Sequence, residues 1–138
     1  MSYLLDTNVL SELQRKTPNK LVQRWFSERP ATSLYLSVLT LGELRKGIEG
    51  ITELRRRLAM SDWLEVKLPA FFNGRILSID HQVSDRWGRL AAKAGRPIAA
   101  IDSLIGATAS HHGLSLVTRN TKDFECLNLE IINPWDEN

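Results

Sequence analysis

At 138 residues, 43% hydrophobic and 25% charged, the chain is long enough to bury a core as a single domain over residues 1–138, and too ordinary in composition to be disordered or fibrous. Its net charge of +2 and pI near 8.9 are too mild to argue for a nucleic-acid partner by themselves. The lone Cys126 cannot form an internal disulfide, and there is no basic-then-apolar leader or membrane-length apolar run, so a cytoplasmic protein without membrane contact is expected.

The apolar run Tyr3–Leu5 predicts a short buried strand ending at Asp6. Val9, Leu10 and Leu13 suit a short helix that frays near Arg15–Pro18. Leu21, Val22, Trp25 and Phe26 recur at helical spacing, with Pro30 just past the end. Leu34–Val38 reads as a second strand, and Thr40 with Glu43 makes a capping-box pattern for the next helix. Thr52–Leu68 reads as one long helix with Leu54, Leu58, Trp63 and Leu64 on its apolar side and Pro69 as its stop. Arg55-Arg56-Arg57 within it reads as plain solvent exposure.

Arg75–Ile79 is strand-like, and Asp80 is placed to cap a helix with an apolar stripe of Val83, Trp87, Leu90, Ala91 and Ala94, stopped by Gly95. Beyond Pro97, a helix Ile101–His112 closes at Gly113. Leu114–Thr118 and Leu129–Ile132 are the last strands, with Pro134 ending the second. Strands alternating with helices predict an α/β fold whose short, mostly parallel central sheet is flanked by helices on both faces, with Tyr3–Leu5 near the centre.

Acids recur where such a sheet binds ligands, just outside the carboxyl ends of its strands. Asp6 follows the first strand, Glu43 lies on the helix after the second, Asp102 opens the helix before the fourth, and Asp123 follows that strand. Each also has a plain structural reading. Asp6 can cap a helix, although Thr7 and Asn8 can too, and Glu43 fits the capping box. Asp102 suits a helix's first turn, but it shares a stripe with the small Gly106 and Ala109 beside a core side of Ile101, Leu104, Ile105 and Thr108. Thr118–Phe124 is a polar turn from which Asn120 or Asp123 can face the crevice of Asp6. Carboxylates gathered by a fold repel one another, and a hard cation such as Mg²⁺ relieves that repulsion. A metal-dependent hydrolase is therefore the first hypothesis.

His81, His111 and His112 lie beside helix ends and suggest no metal spacing, and Ser37, Ser78 and Ser103 have no triad partners. Cys126 reads as a small hydrophobe. Arg86, Arg89, Lys93 and Arg96 share the face opposite Val83, Trp87 and Leu90. That face is either solvated or a phosphate-backbone contact for RNA.

Taken together, Tyr3-Leu4-Leu5-Asp6-Thr7-Asn8-Val9-Leu10-Ser11-Glu12, Glu43–Gly47, Ile101–Ala109, Val117–Phe124 and the closing Ile132–Trp135 resemble the PIN-domain ribonucleases, and among them the VapC-type toxins. The resemblance covers essentially the whole chain. It implies a PIN-like α/β/α sandwich and a Mg²⁺-dependent endoribonuclease, with Mn²⁺ as the other candidate metal. Asp6, Glu43 and Asp102 would be metal ligands and Asp123 a further catalytic acid, with Thr7, Asn8, Thr118 and Asn120 as accessory groups. The family's fourth acid often follows Thr-Arg directly, where this chain has Asn120, so either Asp123 takes the role or Asn120 holds a water. It also implies a homodimer, and a VapB-like antitoxin whose tail occupies the acidic groove. Water activated at such a metal would leave a 5′-phosphate and a 3′-hydroxyl.

Two other functions compete with this reading. A haloacid-dehalogenase-like phosphatase wants a second Asp where Asn8 stands. An inactive PIN-like module that binds RNA or protein gains nothing from concentrated negative charge.

Overall fold

The computed structural model describes residues 1–136. Its strands are β1 (Tyr3–Leu5), β2 (Leu34–Ser37), β3 (Ile76–Leu77), β4 (Ser115–Val117) and β5 (Ile131–Ile132), all paired in parallel in the order β3-β2-β1-β4-β5. β1 is central, with Leu4 beside Tyr35 on one flank and Leu116 on the other. Leu4 and Leu5 are fully buried, as expected for a strand covered on both faces.

Pleating sends alternate residues to two cores. Tyr3, Leu5, Leu34, Leu36 and Val117 pack under α1 (Thr7–Leu13), α2 (Lys20–Ser27), α3 (Val38–Glu49) and the α4 (Leu54–Asp62) to α5 (Leu68–Phe71) run. Leu4 and Leu116 pack on the other face against α7 (Ala100–His112) and the 3₁₀ turn Thr121–Leu127, with Leu90 of α6 (His81–Lys93) at the margin. Gly106 permits that approach, because a Cβ there would meet Leu127 Cδ1 at 2.5 Å. The small residues near Asp102 therefore serve packing. Ile101 departs from its expected core position and is exposed.

Two helix boundaries differ from expectation in ways that bear on the site and its surroundings. α3 begins at Val38 because the Ser37 hydroxyl accepts the Leu39 N–H at 3.1 Å, so Thr40 lies inside the helix and the Thr40–Glu43 capping box does not form. The helix from Leu54 runs past Pro69 to Phe71. Proline lacks an N–H and crowds the carbonyl four residues back, and Trp63–Lys67 absorbs this by widening into a π-helical turn. Along that run Leu64, Leu68 and Phe72 turn inward, leaving Leu54 and Leu58 in solvent. Arg56 and Arg57 are not merely solvated either, since they donate to the carbonyls of Gln14 and Ile51 at 3.2 and 3.0 Å. Elsewhere the stops and caps hold: Asp80 Oδ1 accepts the Val83 N–H, and Gly95 and Gly113 take positive φ. Among the described residues no helix is long and apolar enough to cross a membrane.

Candidate active site

β2 and β3 lie on one side of β1, β4 and β5 on the other, so the strand order switches between β1 and β4. A switch of this kind opens a crevice at the carboxyl ends of the strands. Asp6 is the first residue past β1 and Thr118 the first past β4. They meet there: the Thr118 hydroxyl donates to Asp6 Oδ2 at 2.8 Å, and the Asp6 N–H donates to the Val117 carbonyl. Asp6 Oδ1 accepts the Thr7 N–H at 2.8 Å, so the residue caps α1 and faces the crevice at once.

The neighbouring polar groups are locked in turn. Thr118 Oγ1 accepts from Asn8 Nδ2 at 3.2 Å and from the Asn120 N–H at 3.1 Å. The Thr7 hydroxyl donates to Glu43 Oε1 at 2.6 Å and lies 3.1 Å from the buried Thr40 hydroxyl. With the capping box absent, Glu43 has no cap to serve, and its carboxylate is directed to α1.

Asp6, Glu43 and Asp102 share one cleft of about 510 Å³ with Thr7, Asn8 and Asn120. Burial pushes the Asp6 carboxyl up to about 6, and the charges of Asp102 and Glu43 add to this against the lowering by Thr118 and Thr7. Asp102, half-buried in the first turn of α7, is also raised, first by burial and then by the charges of Asp123 and Glu43. Asp123 is exposed and reaches the group through Asp102 rather than by lining the cleft, a position Asn120 takes. Among the described residues no three His, Cys, Asp or Glu side chains close into a ready-made metal cage. All the donors are hard oxygens around open space, which suits a small divalent cation that retains much of its water.

The basic face is elsewhere. Arg86 and Arg89 line a separate cleft with His81 and His111. His111 is at the opposite end of α7 from Asp102, and that helix has 13 residues, a length of about 20 Å. Arg89 is occupied by Asp85 at 2.9 Å, and Lys93 is exposed at the end of α6. Arg86 and Arg89 thus line a cleft separate from that of the acids. Ser103 is structural, accepting from the Trp87 indole at 2.8 Å, and Cys126 is half-buried against the second core.

The profile of the PIN domain matches residues 3–127. The chain belongs to the PIN-domain family. VapC ribonuclease Y4jK of Sinorhizobium fredii is 38% identical over 136 residues, covering 96% of this chain and 97% of that protein. Toxin FitB of Neisseria gonorrhoeae is 36% identical over 137 residues, covering 97% and 99%. The crystal structure of FitAcB from Neisseria gonorrhoeae matches with a TM-score of 0.93 and 36% identity, covering 98% of this chain and 99% of that one. Membership in this family removes the haloacid-dehalogenase reading. Asn8, where that chemistry wants an acid, spends its amide on Thr118 and on the Arg119 N–H at 3.4 Å.

This PIN-domain cleft also holds residues that the sequence reading did not single out as site residues: Glu12, Arg15, Arg119 and Trp135. A signal existed for two of them. Asn8, Ser11, Glu12 and Arg15 recur at helical spacing, so any helix that aims Asn8 at the site carries the others along the same face. Arg119 and Trp135 come from distant segments and carried no such periodicity.

Proposed function

We propose that this PIN-domain protein is a metal-dependent endoribonuclease and the toxin of a toxin–antitoxin pair, built as one domain, working in the cytoplasm and dimerising as its family does. One observation carries the reading: a buried Asp6, pinned by Thr118 at the switch point, with Glu43 and Asp102 near enough to oppose its ionisation. Concentrated carboxylates are unsuited to holding a polyanion, and suited to holding a cation that in turn holds a phosphodiester. The relatives named a ribonuclease and a toxin support the same activity and imply an antitoxin partner.

Asp6, Glu43 and Asp102 would hold Mg²⁺, with Mn²⁺ able to substitute. Such an ion supplies charge for the phosphate oxygens and acidifies water. The chain itself supplies the alignment. Thr118 and Thr7 fix Asp6, Thr7 also fixes Glu43, and the first turn of α7 presents Asp102. Asn120, its N–H tied to Thr118, is placed to orient a water at the cleft wall, and Asp123 adds charge behind Asp102.

The test is cleavage of total cellular RNA by purified protein with Mg²⁺, with and without chelator. Products bearing 5′-phosphates, formed only with metal, support the reading. A 2′,3′-cyclic phosphate, or full activity in chelator, overturns it.

A further inference from the structure

We propose that Arg119, laid on Trp135, and Arg15, held by Glu12, form the phosphate-binding rim that receives the RNA strand flanking the scissile bond. This rests on the ribonuclease reading, and it addresses how a cleft of carboxylates admits a polyanion at all. Cations must stand in the same walls, and among the described residues the cleft has two, Arg15 and Arg119.

Each arginine is oriented without being used up. The Arg119 guanidinium lies 5.2 Å from the centre of the Trp135 ring, and no carboxylate among the described residues pairs with it. The aromatic face holds the flat cation in place and leaves its edge N–H groups free for phosphate oxygens. Arg15 offers a single nitrogen, Nη1, to both oxygens of Glu12 at 3.3 Å, and its side chain remains 66% exposed.

Glu12 is the strut of this arrangement. It is 5% exposed, and its Oε2 accepts the Asn19 N–H at 3.0 Å. That N–H foremost, then Arg15 and the Trp135 indole, hold its carboxyl below the usual range against the effect of burial. Glu12 is therefore a charged, satisfied group, joined to Arg15 and to the Asn19 backbone directly. It is a positioning residue in the cleft and not another metal ligand.

The experiment measures binding apart from cutting. Fluorescein-labelled single-stranded RNA is titrated with the Asp6→Asn protein by anisotropy over a salt series, with Arg15→Ala, Arg119→Ala, Arg119→Lys and Glu12→Gln added in turn. Each alanine should weaken binding several-fold and flatten the log–log salt slope by about 0.7, the share of one single-strand phosphate contact. Arg119→Lys should recover the slope but only part of the affinity, because a lysine lacks the flat stack. Glu12→Gln should weaken binding without changing the slope, since Arg15 keeps its charge and loses its placement. In the cleaving protein the same changes should raise KM more than they lower kcat. Affinity and slope unchanged in both alanine variants would overturn the rim while leaving the nuclease reading intact. A wild-type protein that binds RNA in an arginine-dependent way and never cuts it would overturn the nuclease reading and keep the rim.

Discussion

Asp6 and Glu12 stand at the two ends of one short helix, line the same cleft and are each 5% exposed, yet their carboxyls are shifted in opposite directions. Burial raises both. Glu12 has a backbone N–H and a guanidinium to counter it, whereas Asp6 has a hydroxyl and an N–H set against two further carboxylates. Burial alone therefore does not mark a functional acid. What separates the two is that at Glu12 the Asn19 N–H outweighs burial with a guanidinium helping it, whereas at Asp6 burial outweighs two hydrogen bonds and the neighbouring carboxylates add to it.

The largest test of this contrast is Asp6→Asn. Cleavage should fall by about a thousandfold or more, since the cation loses its central ligand. Without metal the variant should nevertheless melt higher than wild type. The raised carboxyl at Asp6 corresponds to at most about 3 kcal/mol of penalty at neutral pH, part of which the lost hydrogen-bond acceptor offsets. A lower melting temperature in chelator would break the comparison.

Glu12→Gln is the mirror image. It should cost about 1–2 kcal/mol, the worth of charge-assisted bonds to a buried carboxylate, and lower the melting temperature with or without Mg²⁺. Metal affinity by calorimetry should be unchanged. A loss of metal binding would place Glu12 among the ligands.

The pH dependence sharpens the same point. The folded pKa of Asp6, about 6, lies above the reference value of 3.8, so the metal-free protein should lose stability as pH rises between them and stay at the lower level beyond. The folded pKa of Glu12 lies below its reference of 4.5, so its contribution is present above that value and disappears as pH falls beneath it. Melting curves of wild type against Asp6→Asn and Glu12→Gln should show differences of opposite slope. Saturating Mg²⁺ should flatten only the first, because metal competes with the proton.

The smallest effect is expected on α6. Arg86→Ala and Arg89→Ala should raise KM and flatten the salt dependence less than Arg119→Ala does, as they line a cleft separate from that of the acids. Their melting temperature should stay at the wild-type value, an exposed pair such as Arg89–Asp85 being screened by water. Equal effects in both regions would show that the strand runs across α6 as well.

Much of this was legible locally. The apolar triplet before Asp6 marked the central strand, and Gly95 and Gly113 marked helix ends that do take positive φ. Glu43 was harder, since Ser37 and Thr40 offer overlapping start signals and only packing decides that Ser37 caps. Pro69 misled because a stop signal in sequence can be absorbed by widening a turn upstream. The arginine rim was only half legible: Arg15 shares the helical spacing of Asn8 and Glu12, but Arg119 and Trp135 join it only through the crossovers that order the strands.

The bond from Thr118 to Asp6 joins residues 112 positions apart. During synthesis, Asp6 leaves the ribosome long before the strand that carries Thr118 exists to meet it, and until β4 docks beside β1 the crevice has one wall. The two walls of the crevice are thus completed only after β4 has been made and has paired with β1.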